Sequence, residues 1–184
     1  MPLLKTEIST MDDIYALPDG QRAELIDGTI YNMSPPNRLH QKIVFFLARK
    51  IADYIDSQNG DCEVNISPFA VFLNENDTTY VEPDISVVCD KSKLTEKGCV
   101  GSPDWIIEVV SPSSKTMDYH TKLFKYHNTG VKEYWIVDPM KNRIMVHNFN
   151  SETMEEYSFS DSVKVGIYED FSIDFSELSE VLDS

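Results

Sequence analysis

Between Asn37 and Gln58 the apolar residues Leu39, Ile43, Phe46, Leu47, Ile51, Tyr54 and Ile55 recur at spacings of three and four. That period predicts one long amphipathic helix. Ser34 with Pro35 and Pro36 supplies its start, and Gly60 its stop. Upstream, "STMDDIYALPDG" reads as a helix start, a short helix and a Pro18-Asp19-Gly20 turn. In "AELIDGTIYNM", Asp27-Gly28 stands between two apolar segments, a strong hairpin signal. Downstream come the strand-like runs "CEVNISPFAVFL", "VEPDISVVCD" and "DWIIEVVS". A second helix is predicted over about Lys115 to Thr129, closed by Gly130. It leads into "EYWIVDP", a strand stopped at Asp138-Pro139. "RIMVHNFN", "MEEYSFS" and "SVKVGI" read as further antiparallel strands. The order predicts an α/β chain with a central mixed β-sheet flanked by helices and an N-terminal hairpin, rather than a βαβ series.

The 184 residues suit one domain, 1–184, with a sizeable core. No repeat, low-complexity linker or domain boundary interrupts them. A hydrophobic fraction of 41% and an aromatic fraction of 11% mark a globular chain. Its apolar runs are too short to span a membrane, and "MPLLKTEISTMDD" lacks the basic-then-apolar pattern of a signal peptide. The expectation is a cytoplasmic protein without a membrane partner. Cys62, Cys89 and Cys99 are odd in number and widely spaced, with no Cys-x-x-Cys pair. They read as free thiols in a reducing compartment, and a zinc site is not expected.

The formal net charge is −15, from 16 basic and 31 acidic residues, which cuts against the basic footprint usual in nucleic-acid binding. The charge is uneven. The last third is acidic, while "KTMDYHTKLFKYHNTGVK" is locally basic. A divalent cation would also offset carboxylates gathered at one site.

Two carboxylates stand where buried β-structure is predicted. Asp84 follows Pro83 at the head of an apolar run, and Glu108 sits inside "WIIEVV". Alternation puts Trp105, Ile107 and Val109 on one face and Ile106, Glu108 and Val110 on the other. A carboxylate there is costly unless it is paired or holds a metal. It fits a solvated residue on an open face, an internal salt bridge, or, with Asp84 on a neighbouring strand, a seat for a hard cation such as Mg²⁺. In the next helix Asp118 and Lys122 are four apart, with Lys122 bordering the apolar side formed by Tyr119, Leu123 and Tyr126, and Lys125 pointing further from it. That spacing fits an ordinary surface ion pair, or a lysine reaching towards the sheet.

The segments "ELIDGTIYNMSPPNRLHQKI", "VEPDISVV", "PDWIIEVVSPSS" and "DYHTKLFKYHNTGVKEYWIVDP" together resemble the Uma2 family (DUF820) of restriction-endonuclease-like proteins, within the PD-(D/E)XK nuclease superfamily. The resemblance covers roughly residues 12–150 and leaves acidic strands and a tail over 151–184. It implies a restriction-endonuclease-like fold. It implies Pro83-Asp84 as the superfamily's Pro-Asp and Glu108 as its second acidic residue. The chain departs from the superfamily two residues after Glu108, where Val110 replaces lysine. In the Uma2-like pattern a lysine of the following helix takes over, matching Lys122. Glu24, His40 and Gln41 match further family positions.

Each supporting position has an ordinary alternative. Glu24 fits a hairpin surface residue, and His40 a packed, hydrogen-bonded histidine. Asp118 fits a residue that orients Lys122. Asp104 and Asp138 read as turn and strand-end residues. Ser111, Ser113 and Ser114, without a Gly-x-Ser-x-Gly elbow, read as a turn and helix cap. The resemblance implies an Mg²⁺- or Mn²⁺-dependent endonuclease acting on DNA. Its metal would be held by Asp84, Glu108 and the Val109 carbonyl, with Lys122 beside the reacting phosphate and Glu24, His40 and Asp118 in support. A homodimer would suit cutting of both strands. A catalytically silent module that binds a protein or nucleic acid, and a hydrolase of another phosphate ester, are the competing readings.

Overall fold

The long helix, α2 below, is Arg38–Ser57. Its N-cap is Asn37, whose side chain accepts from the His40 amide at 2.9 Å, so the start lies just beyond the predicted Ser-Pro-Pro segment. Ile43, Phe46, Leu47, Ile51 and Ile55 form the buried stripe, while Leu39 in the first turn stays exposed and His40 turns inward. The structure is a computed structural model that describes residues 8–74 and 77–183. The signal-peptide expectation for "MPLLKTEISTMDD" falls partly on residues 1–7, which lie outside them.

In chain order the elements are α1 (Met11–Tyr15), β1 (Ala23–Ile26), β2 (Thr29–Asn32), α2, β3 (Glu63–Ile66), β4 (Val71–Phe72), β5 (Ile85–Val88), β6 (Leu94–Thr95), β7 (Gly98–Val100) and β8 (Trp105–Val109). A π-helical turn, Met117–Lys122, leads into α3 (Leu123–Thr129). There follow β9 (Glu133–Asp138), β10 (Arg143–Asn148), β11 (Thr153–Tyr157), β12 (Ser162–Lys164), β13 (Ser172–Asp174) and α4 (Ser176–Asp183). The main sheet has the order β11-β10-β9-β8-β5-β3. Only β8 and β9 pair in parallel there, joined by the crossover that contains the π turn and α3. The sheet is mixed and flanked by helices, as expected.

Alternation along β8 holds. Trp105, Ile107 and Val109 join the core beneath α2, while Ile106 and Val110 join the core on the opposite face. Trp105 and Trp135 meet edge-to-face at 4.9 Å across the β8–β9 pair, a contact that adds about 0.5–1.5 kcal/mol beyond area burial. The β1–β2 hairpin turns on Asp27 (φ 49°) and Gly28 (φ 78°), the positive-φ pair of a tight hairpin turn. It is tied to the body by reciprocal bonds between Leu25 and Tyr80.

Several expectations are corrected. "CEVNISPFAVFL" is not one strand: it breaks at Ser67-Pro68, and β4 joins the separate sheet β4-β7-β6. "SVKVGI" supplies β12, an antiparallel strand as expected, but its partner is β13, outside the main sheet. The acidic tail folds back, with Phe175 and Leu178 buried in the α2 core and Lys50 paired to Glu177 at 2.5 Å. The cysteines are not all free: Cys62 and Cys89 form a disulfide, leaving Cys99 as the buried free thiol. Antiparallel pairing of Glu63 with Val88 brings Cys62 opposite Cys89, so residues 27 apart in sequence have Cα atoms 3.9 Å apart. Among the described residues no helix is long and apolar enough to cross a membrane.

Candidate active site

The antiparallel register of β5 and β8 pairs Ile85 with Ile107. One step further, Asp84 stands opposite Glu108, and directly opposed residues project from the same face. The Asp84 amide lies 3.4 Å from Glu108 Oε2, and the Val109 amide donates to Asp84 Oδ2 at 2.8 Å. His40 comes in from the first turn of α2, its Nε2 3.1 Å from Asp84 Oδ2.

Behind this pair lies a buried ion cluster. Lys122 Nζ is 2.9 Å from Glu108 Oε1, 3.0 Å from Glu24 Oε2 and 3.9 Å from Asp118 Oδ1. The Lys122 side chain is only 5% exposed, which rules out the surface-pair reading of Asp118 and Lys122. Asp118 and Lys122, four apart, share one face of the helical turn Met117–Lys122, and that face is turned to the sheet. Lys125 is also buried, against the sequence expectation, and pairs with Asp27 at the hairpin tip. Glu24 is not a surface residue either; its Oε1 accepts the Glu82 amide at 3.0 Å.

Three groups that sequence reasoning did not assign complete the cluster. Tyr126 OH donates to Glu108 Oε1 at 2.9 Å, and Tyr134 OH to the Asp118 carbonyl at 3.0 Å. Arg22 pairs with Glu82. The tyrosines carried a signal, since a hydroxyl on an otherwise apolar face needs a buried partner. The serines form the expected turn, with the Ser111 amide bonded to Ser114 Oγ and the Ser114 amide to Ser111 Oγ, but not the expected cap: the N-cap of the helical turn is Thr116, without a side-chain bond, and Ser114 Oγ donates to Asp118 Oδ2 at 2.5 Å. Asp104 is more than a turn residue, because its carboxylate accepts from the Cys89 amide and pairs with Lys132 at 2.6 Å.

Burial pushes the Glu108 carboxyl well above its ordinary range; Lys122 opposes this, while Asp84, Asp118 and Glu24 add to it. Burial likewise raises Asp118 to about 6, against the pull of Lys122 and Ser114. For Lys122 burial acts downward, but Glu108, Glu24 and Asp118 outweigh it and hold the ammonium above its usual value. Acids outnumber the one lysine, so protons in this cluster are shared property. His40 is lowered by burial, yet its bond and charge interaction with Asp84 and the Val109 backbone carry it above 6.5.

The cluster opens into a cleft of about 500 Å³, lined by Glu24, Glu82, Asp84, Glu108 and Asp118 against the cations Arg22 and Lys122. Among the described residues Asp118 Oδ1 has no hydrogen-bond partner. Hard oxygen donors in excess of positive charge fit Mg²⁺ or Mn²⁺. Asp84 and Glu108 can supply two carboxylates. That is the number Mg²⁺ commonly takes from protein, with waters and substrate phosphate completing its shell. Among the described residues no set of three His, Cys, Asp or Glu side chains is gathered as a cage. Glu108 Oε1 is engaged by Lys122 and Tyr126, while Oε2 takes the longer 3.4 Å contact from the Asp84 amide and is the less committed donor.

Comparison with known proteins adds three findings. The model of the Uma2 family, described as "putative restriction endonuclease", matches residues 11–176. An uncharacterised protein of Synechocystis sp. is 29% identical over 133 residues, 72% of this chain and 68% of that protein. A crystal structure described as a putative nuclease belonging to DUF820, from Anabaena variabilis, superposes with a TM-score of 0.76 at 21% identity. The match covers 94% of this chain and 98% of that one, and shows the same fold.

Proposed function

The chain belongs to the Uma2 family, and from that premise we propose that it is a metal-dependent endonuclease hydrolysing phosphodiester bonds in DNA. The observation that carries the reading is the opposition of Asp84 and Glu108 across β5 and β8, at the floor of an electronegative cleft. Rigid strands hold such a donor pair more accurately than loops would.

In this reading Asp84 and Oε2 of Glu108 would hold Mg²⁺, with the Val109 carbonyl as a further donor. When bound, the cation polarises the scissile phosphoryl oxygen and favours attack by water. Lys122 fixes Glu108 through Oε1 and keeps its proton on Nζ, so positive charge stands behind the reacting phosphate as negative charge develops. Glu24 and Asp118 keep Lys122 charged and in place. His40 orients Asp84 through Oδ2. A two-fold homodimer would serve cleavage of both strands.

The catalytically silent alternative is favoured by Val110 in the usual lysine position and by the net charge of −15. Calorimetric titration of Mn²⁺ into the wild type, Asp84→Asn and Glu108→Gln separates the two. The nuclease reading expects wild-type binding that both substitutions abolish. Equal binding by all three proteins, or none by the wild type, would overturn the assigned seat.

A further inference from the structure

As built, the cleft is a poor seat for a polyanion: five carboxylates line it against two permanent cations. One of those cations is enclosed. Lys122 keeps 5% of its side chain exposed and spends its ammonium on Glu24 and Glu108. His40 is committed to Asp84. Arg22 differs, for its side chain is 37% exposed and lines the cleft.

Arg22 is also held from behind. Its Nε donates to Glu82 Oε2 at 2.8 Å, and its Nη2 to Ser67 Oγ at 2.7 Å and to the same Glu82 oxygen. The other Glu82 oxygen accepts from Tyr80 OH. Glu82 is itself buried. These bonds occupy one edge of the guanidinium, and Nη1 takes no part in them. The mounting connects directly to the candidate site. The Ser67 amide donates to the Asp84 carbonyl at 3.1 Å. Arg22 also extends the hairpin pairing through the Met33 amide, so it shares a face with Glu24 two residues on.

A partly exposed ion pair contributes little to stability by itself. An arginine fixed along one edge instead offers its remaining donors in a set direction, with little ordering cost on binding. We propose that Arg22 is a positioning residue that grips a backbone phosphate of the nucleic-acid strand, next to the phosphate at Asp84 and Glu108. Glu82, Ser67 and Tyr80 set its direction. The inference rests on the nuclease reading and deepens it: it names the group that lets an acidic cleft accept a polyanion and that sets where the strand lies.

The test is fluorescence polarisation of a labelled DNA duplex in Ca²⁺, without turnover, over a salt series, with wild type, Arg22→Gln and Arg22→Lys. The expected result is an affinity loss of about tenfold for Arg22→Gln. Its salt dependence should become shallower by about 0.9 in log–log slope, the mark of one lost phosphate contact. Arg22→Lys should recover the slope but only part of the affinity, since it keeps the charge and loses the fork. In Mg²⁺, Arg22→Gln should raise KM more than it lowers kcat. A purely structural role would leave the salt slope unmoved. If unpaired Glu82 unfolds Arg22→Gln, the double variant Arg22→Gln/Glu82→Gln carries the same test. Unchanged affinity and slope in a folded variant would overturn the assignment of Arg22 alone. Absence of wild-type binding to the duplex would overturn the nuclease reading along with it.

Discussion

Lys122 Nζ lies 2.9 Å from Glu108 Oε1, joining a π-helical turn to a central strand within the sheet's buried interior. The contact turns a costly buried carboxylate into part of a cluster, and it is what allows Glu108 to stand in an apolar run. Lys122→Met would leave Glu24, Glu108 and Asp118 without their cation. A loss of about 3–5 kcal/mol in folding stability is expected, as for other buried pairs broken on one side. Urea denaturation measures it. A loss below about 1 kcal/mol, the scale of a surface pair, would mean that Lys122 is not the counter-ion of this cluster.

His40 contributes to stability in a pH-dependent way whose sign follows from its surroundings. Asp84 and the Val109 backbone raise its pKa in the folded state against the downward effect of burial. A raised histidine contributes stability that is fully present below its unfolded pKa of about 6.5 and fades as pH rises through the folded value. The stability difference between wild type and His40→Gln should therefore be larger near pH 6 than near pH 9. Denaturation curves at both values check this, and a difference that grows with pH would show the opposite sign of coupling.

The Cys62–Cys89 disulfide closes a loop of sequence separation 27. Chain entropy alone gives such a crosslink about 3.5 kcal/mol. Cys62→Ser with Cys89→Ser should lower stability by an amount of that order, with the sheet register kept by the Glu63–Val88 pairing. Calorimetric melting of oxidised and doubly substituted protein reads the effect. Coincident melts would indicate that the crosslink constrains nothing the unfolded chain would otherwise explore.

Local patterns in the sequence carried much of this geometry. The alternation in "WIIEVV" placed Glu108 among aliphatic neighbours, and the three–four spacing outlined α2. The Asp27-Gly28 pair marked the hairpin. What stayed hidden depends on contacts between distant segments. The disulfide needs the β3–β5 register before Cys62 and Cys89 become neighbours. Arg22 and Glu82 are 60 residues apart, and Lys125 and Asp27 98 apart, with nothing local to mark either partner. The π turn was invisible because a regular helix and a widened one share the same apolar pattern, and the burial of Asp118 and Lys122 depends on which face the helix turns to a distant sheet.

The proposed seat for metal-dependent cleavage of DNA is the pair Asp84 and Glu108. Incubation of supercoiled plasmid with the protein in Mg²⁺ or Mn²⁺, read as conversion to nicked and linear forms, tests it most directly. Wild type should cleave, chelation by EDTA should stop cleavage, and Asp84→Asn and Glu108→Gln should be inactive while melting as folded proteins. Cleavage that persists in EDTA or in either folded variant would contradict the claim.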